Sequence, residues 1–187
     1  MKKVIRWLCF GLLEWFRPDM IVETAADIDW GGLQRLGIRY GILDLDNTLV
    51  GGGSDHVCVD IVASIRSATQ SKLLLAVCIL TNMIVKTKKR QRRAVKVALT
   101  IGTRCVVSLG FCRQKPHPWG FCEAMRQMDA MGYETAAVGD LLGTDILGGK
   151  LAGVALTIWT RRPIGKQKRH IRVRRFFERA IVWALEL

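Results

Sequence analysis

The chain has 187 residues, of which 50% are hydrophobic, and this size and composition favour one domain with a single core. Its 29 lysines and arginines outnumber its 16 acidic residues, and the formal charge of +13 favours polyanionic partners: nucleic acid, an anionic membrane face or phosphorylated substrates. The 6 cysteines form no C-x-x-C pair and no cluster with histidine. This pattern argues against a zinc site and against a disulfide framework.

Residues 1–36 are predicted to form a helical segment that leads into the core domain. Residues 1–16 carry two lysines directly after Met1, as the start of a signal peptide does, but Arg6 and Glu14 interrupt the apolar part and no small-residue cleavage site follows. An amphipathic helix that Pro18 stops fits better, and it either packs on the domain or lies among lipid headgroups. No segment of the chain reads as a membrane span.

Strands and helices alternate through most of the remaining chain. The predicted strands cover residues 38–43, 73–80, 105–109, 135–138 and 154–159. The predicted helices are a short one capped by Asp27 or Asp29 and closed by Gly37, then 57–68, 84–99, 119–131 (closed by Gly132), 144–151 and 169–185. This alternation predicts a Rossmann-like three-layer α/β fold with a parallel sheet over residues 37–160, followed by a basic amphipathic helix in 161–187.

Two carboxylates follow the first predicted strand. Asp44 ends an apolar run and Asp46 stands two residues further on, just before a turn and three glycines. Adjacent carboxylates have no structural use beside a buried strand, because their repulsion and desolvation both cost free energy. A bound cation and a phosphoryl substrate would remove that cost. The alternative is that residues 46–48 only cap the strand and start a turn.

Polar side chains stand at or after the ends of four predicted strands. They are Asp44 and Asp46, Thr81 and Asn82, Lys115, and Asp140 with Asp145. Ligands of open α/β sheets bind outside the carboxyl ends of the strands, so all four groups are expected to converge on one crevice. Each group alone is ordinary turn chemistry or a solvated charge, and it is their combination that predicts a site.

In this order the groups resemble the four motifs of the haloacid dehalogenase (HAD) superfamily. The motifs read Asp44-x-Asp46-x-Thr48, Thr81-Asn82, Lys115-Pro116 and Gly139-Asp140-x-x-x-Thr144-Asp145. A finer resemblance is to YqeG-type phosphatases of subclass IIIA, relatives of the mitochondrial phosphatidylglycerophosphatase. It rests on Pro18-Asp19, Asp27-Ile28-Asp29, Gly37-Ile38, Gly148-Gly149 and the arginine-rich residues 174–179.

The resemblance implies a phosphomonoester hydrolase with an aspartyl-phosphate intermediate. Asp44 would attack phosphorus, and Asp46 would protonate the leaving group and then activate water. Thr81 and the backbone N–H of Asn82 would bind phosphoryl oxygens. Lys115 would neutralise charge in the transition state.

The resemblance also implies a Mg²⁺ cofactor. Asp44, the backbone carbonyl of Asp46 and Asp140 would hold the ion, with Asp145 in the outer shell or reaching it through water. A carboxylate at position 46 favours a phosphatase over a dehalogenase or a phosphonatase.

The segments after Asp46 and Asn82 are too short for a lid domain, so the fold is predicted to be capless. An open site suits a bulky phosphoester, and the substrate that the resemblance implies, a phosphatidylglycerophosphate head group, fits such a site. The basic stretches 86–96 and 161–179 are compatible with contact to an anionic membrane. The predicted location is the cytoplasm or the periphery of the inner membrane face.

The competing hypothesis is a nucleic-acid- or ribosome-associated binding protein that has the same scaffold and little or no hydrolase activity. Its support is the charge alone. No RNA-binding signature is visible, and residues 86–96 contain no aromatic side chain.

Overall fold

The computed structural model describes residues 11, 13–83, 87–165 and 169–187, and among these the side chains of all but 169–174 and 177. Most of the predicted N-terminal helix in residues 1–16 lies outside the described residues, as does the predicted start of a helix at 84–86. Among the described helices, none is both long and apolar enough to cross a membrane.

Six parallel strands form one sheet in the order β1-β6-β5-β2-β3-β4. The strands are β1 (Met20–Val22), β2 (Tyr40–Asp44), β3 (Ala76–Asn82), β4 (Cys105–Leu109), β5 (Thr135–Gly139) and β6 (Leu156–Thr160). Helices in the described part of the chain include α1 (Trp30–Arg35), α2 (Val59–Gln70), α3 (Lys88–Ile101), α4 (Trp119–Met128), α5 (Leu147–Leu151) and α6 (Arg169–Leu185). The predicted α/β architecture is confirmed.

Helices cover both faces of the sheet, which explains the nearly continuous apolar runs of β2 and β3. Leu43 of β2 faces a core built with α1, α2 and α3. Its neighbour Ile42 faces a second core built with α4. The central strands are therefore buried on both sides, and their carboxyl ends lie side by side at one edge of the sheet.

Two local predictions are corrected by the structure. The helix expected to run to residue 131 ends at Met128, because Asp129 takes a left-handed conformation (φ 54°) and the N–H of Ala130 bonds the carbonyl of Met125 at 3.0 Å. The helix expected from residue 144 begins earlier, as a π-helical turn over Leu142–Ile146, and continues as α5.

The edge strand β1 was not predicted from the sequence. It is only three residues long and pairs with β6 from Met20 opposite Ile158 to Val22 opposite Thr160. Of the two candidate caps for α1, Asp29 is the one used: its carboxylate accepts from the N–H of Gly32 at 2.9 Å. Gly37 ends that segment with φ 86°, as expected.

Candidate active site

The predicted site residues lie at the carboxyl edge of the three central strands. β2 ends at Asp44, β3 ends at Asn82, and β5 ends directly before Asp140. These strands are neighbours in the order β5-β2-β3. The convergence expected from strand order is therefore present.

Three carboxylates form a compact acidic cluster. One oxygen from each of Asp44, Asp140 and Asp145 lies within 4.8 Å of the others. The side chains of Asp140 and Asp145 are 2% and 4% exposed, whereas that of Asp44 is 12% exposed. Asp44 is thus the member of the cluster that is most accessible to a substrate.

Lys115 reaches the acidic cluster from the loop after β4. Its Nζ contacts a carboxylate oxygen of Asp44, lies 2.6 Å from Asp145 Oδ1 and donates to the carbonyl of Leu80 at 3.2 Å. Burial alone would lower the pKa of Lys115, but the negative charges of Asp145 and Asp44 outweigh it and raise that pKa. Lys115 therefore remains a cation beside Asp44.

Asn82 fixes the backbone on which Lys115 stands. Its Oδ1 accepts from the N–H of Lys115 at 2.9 Å, and its Nδ2 lies 3.5 Å from the carbonyl of Lys115. This use of the Asn82 side chain was not predicted from the sequence. Thr81 is buried at the end of β3, and its contact with a phosphoryl group stays a prediction.

Asp46 lies apart from the acidic cluster. Its carboxylate pairs with the guanidinium of Arg93 in α3 and accepts from the N–H of Gly53 at 3.3 Å. Arg93 also donates to the carbonyl of Ser54 at 2.7 Å. The side chain of Asp46 is 34% exposed, so it is more accessible than the three carboxylates of the acidic cluster. The metal contact predicted for Asp46 involves its backbone carbonyl and stays a prediction.

The C-terminal helix α6 contributes two side chains that the sequence did not place at the site. Arg175 Nη2 lies 2.9 Å from Asp140 Oδ2, and Glu178 accepts from the N–H of Gly143 at 2.8 Å. Burial raises the pKa of Glu178 to about 7, although the N–H of Gly143 favours the charged form. The arginine-rich ending was a visible signal, but nothing in it singled out Arg175 rather than its neighbours.

A sequence model of the family described as mitochondrial PGP phosphatase matches residues 13–165 of the chain. The chain belongs to this family. It is a phosphatase with a HAD-like fold, as predicted; the finer assignment to subclass IIIA and the YqeG type stays a prediction. A search of curated protein sequences finds no match.

Two solved structures have a fold similar to that of this phosphatase. An uncharacterized protein from Listeria monocytogenes serotype 4b is 16% identical with a TM-score of 0.53, over 71% of this chain and 84% of that one. A protein from Mesorhizobium loti described as a HAD-like phosphatase is 18% identical with a TM-score of 0.52, over 63% and 69%. At such identities the likeness concerns the fold.

Close packing in the phosphatase explains the glycine before Asp140. A Cβ at Gly139 would overlap the side chain of Asp145. Gly148 and Gly149 face the same constraint, since their Cβ atoms would lie 2.6 Å from Phe121 Cε2 and 2.9 Å from Ala137 Cβ. The glycines therefore allow the turn that carries Asp145 and the helix α5 to lie directly on β5 and α4.

The acidic cluster of the phosphatase fits a divalent cation. Burial, followed by repulsion from Asp145, raises the pKa of Asp140 to about 6. Burial also raises the pKa of Asp44 well above its usual range, although Lys115 opposes this. Among the side chains that the structure describes, two cationic groups, Lys115 and Arg175, pair with these three carboxylates. An all-oxygen donor set with uncompensated negative charge suits a hard ion such as Mg²⁺.

Proposed function

We propose that this phosphatase hydrolyses phosphomonoesters with Mg²⁺ as cofactor and an aspartyl-phosphate on Asp44 as intermediate. The observation that carries the proposal is the position of Asp44. It is the most accessible carboxylate of the acidic cluster and lies in contact with the Lys115 ammonium. A carboxylate oxygen in that position attacks phosphorus and splits the hydrolysis into two easier steps.

Asp46 is the proposed general acid and base. It lies on the exposed side of the site, where a leaving group would depart, and the N–H of Gly53 and the guanidinium of Arg93 fix its carboxylate. In the first step it gives a proton to the leaving alkoxide. In the second step it takes a proton from the water that attacks the acyl phosphate.

The proposed metal ligands are Asp44, Asp140 and the backbone carbonyl of Asp46, with Asp145 in the outer shell. The ion would supply positive charge against the phosphoryl oxygens. Thr81 and the N–H of Asn82 bind those oxygens in the proposal, and Lys115 neutralises charge that develops on them. The hydrogen bonds between Asn82 and Lys115 support this assignment, since they hold two of the proposed phosphate-binding residues next to each other.

Removal of divalent metal tests the proposal. Purified protein treated with EDTA is expected to release phosphate from an aryl phosphate at least about 100-fold more slowly, because the ion contributes several kcal/mol of charge stabilisation. Mg²⁺ added in excess of the chelator should restore the rate. A thermal unfolding curve of the EDTA-treated protein serves as the control for folding. Full activity after exhaustive chelation would exclude the metal from the mechanism.

We further propose a lipid phosphomonoester of the phosphatidylglycerophosphate type as substrate, presented at an anionic membrane surface. α3 contains no acidic residue and borders the exposed side of the site through Arg93. Lys88, Arg92 and the apolar Val95 and Leu99 of α3 are exposed and line an open groove. Cations interleaved with apolar side chains suit a headgroup layer above hydrocarbon.

Charge reversal tests the membrane proposal. Lys88→Glu/Arg92→Glu is expected to lower turnover of the lipid in phosphatidylglycerol vesicles by about 10-fold or more, since each basic residue near an anionic leaflet contributes about 1 kcal/mol. Turnover of a soluble aryl phosphate should not change. The matched control is Lys72→Glu/Arg104→Glu, two exposed cations before β3 and β4 at the opposite edge of the sheet. Equal losses in both double variants would show a net-charge effect and reject the α3 surface.

The nucleic-acid hypothesis is not favoured by the match to a phosphatase family. The family description names mitochondria, whereas the sequence predicted the cytoplasm or the inner membrane face, and the location stays a prediction.

A further inference from the structure

The C-terminal helix α6 lies beyond the residues that the phosphatase family model matches, 13–165, yet it reaches the acidic cluster. Arg175 donates from Nη2 to the Oδ2 of Asp140 at 2.9 Å and to the backbone carbonyl of the same residue at 3.2 Å. The Arg175 side chain is 19% exposed and that of Asp140 is 2% exposed. The ion pair is thus sheltered from water. Its Coulomb attraction is therefore stronger than that of an ion pair on the surface.

Glu178, one helical turn after Arg175, contacts the segment that follows Asp140. It accepts from the N–H of Gly143 at 2.8 Å, and Gly143 belongs to the π-helical turn that contains Asp145. Because residues three apart share one face of a helix, a single face of α6 contacts the segment that carries both buried carboxylates of the acidic cluster.

Apolar packing keeps α6 in this place. Leu142, Ile146 and Trp159 form a small buried cluster against which Ile181 and Val182 of α6 pack. The indole N–H of Trp159 donates to the carbonyl of Asp140 at 3.0 Å, the same carbonyl that Arg175 contacts. The backbone and the carboxylate of Asp140 are therefore both fixed from the side of α6.

We infer that Arg175 is a positioning residue that orients Asp140 and sets the affinity of the acidic cluster for its divalent cation. The inference rests on the proposed function. Ionised Asp44, Asp140 and Asp145 carry three negative charges, and Lys115 and Arg175 return two positive charges. Arg175 fixes the direction of one ligand, and its own charge opposes the incoming cation. Loss of the orientation should lower kcat, whereas loss of the charge should strengthen cation binding, so kcat and cation affinity report the two effects separately.

Replacement by a neutral side chain is the test. Arg175→Met and Arg175→Gln are expected to lower kcat about 10-fold, because Asp140 loses its orientation. The same variants should bind Mn²⁺ about 10-fold more tightly in calorimetric or electron paramagnetic resonance titrations, because a nearby like charge has been removed. Arg175→Lys retains the charge and should leave the Mn²⁺ affinity near that of the wild type. A merely structural role would weaken metal binding together with activity.

Arg179→Met is the matched control, since Arg179 lies one turn further along α6 and is exposed. The Mn²⁺ affinity and kcat of this variant should match those of the wild type. Mn²⁺ binding by both neutral variants that is equal to or weaker than that of the wild type overturns the role of Arg175 and leaves the proposed function intact. Wild-type protein that neither binds Mn²⁺ nor hydrolyses an aryl phosphate overturns both. The binding titration needs no turnover, so the two failures are distinguishable.

Discussion

Replacing Asp44 with Asn is expected to lower phosphate release from an aryl phosphate by at least about 10³-fold, the scale of losses when a nucleophile is removed. The amide has nearly the same shape and can still accept a hydrogen bond from Lys115, so the fold should be retained. It cannot form an acyl phosphate. Steady-state assays of both proteins in Mg²⁺, with unfolding curves measured in parallel, give the comparison.

The matched control for this variant is Asp129→Asn. Asp129 is exposed at the end of α4 in a left-handed conformation, which asparagine adopts readily, so its activity should equal that of the wild type. Acid-quenched wild-type protein should carry a phosphoryl group on the peptide that contains Asp44, and the Asn variant should carry none. Similar rates for the wild type and Asp44→Asn would end the nucleophile assignment.

Replacing Lys115 with Met is expected to abolish activity and to lower the free energy of unfolding by about 3–5 kcal/mol, the usual loss when one partner of a buried ion pair is removed. Asp44 and Asp145 would lose their shared cation. Urea denaturation measures the stability change. Lys150→Met is the matched control, because the Lys150 side chain is 23% exposed, against 4% for Lys115, and its Nζ lies 3.9 Å from Asp19 Oδ1. This substitution should change the free energy of unfolding by less than about 1 kcal/mol.

The stability of Lys115→Met should also depend on pH in a defined direction. The pKa values of Asp44 and Asp140 already lie above their usual range, so the folded state binds more protons than the unfolded state between the unfolded and folded pKa values. Stability therefore falls as the pH rises through that interval. Loss of the Lys115 charge widens the interval, so the stability deficit of the variant relative to the wild type should be larger at about pH 8 than at about pH 5. An equal deficit at both values would contradict the role of Lys115 as counter-ion.

Much of the fold was predictable because its signals are local. The apolar runs of β2 and β3 are continuous since both faces of these strands are covered, and all five strands predicted from such runs are present. The edge strand β1 escaped prediction because three residues show no period. The predicted end of α4 was wrong because Gly132 suggested a C-cap, whereas the helix already ends at Met128 and the chain turns at Asp129.

The candidate site divides in the same way. Asp44, Asp140, Asp145 and Lys115 were predicted to converge because each follows a strand, and strand ends share one edge of a parallel sheet. The partners of the carboxylates were not predictable. Arg93 stands within a run of cations that look alike in sequence, and only its partial burial beside Asp46 distinguishes it.

The sequence by itself determined the α/β order, the phosphatase motifs and the set of carboxylates that share one edge, since strand runs and turn residues are encoded within a few positions. Only the tertiary structure decided which cation neutralises which carboxylate: Lys115 with Asp44 and Asp145, Arg93 with Asp46, and Arg175 with Asp140. These pairs join residues far apart in the chain. Their choice depends on how α3, α6 and the loop after β4 pack on the sheet, because charge coupling is strong only at a few ångströms.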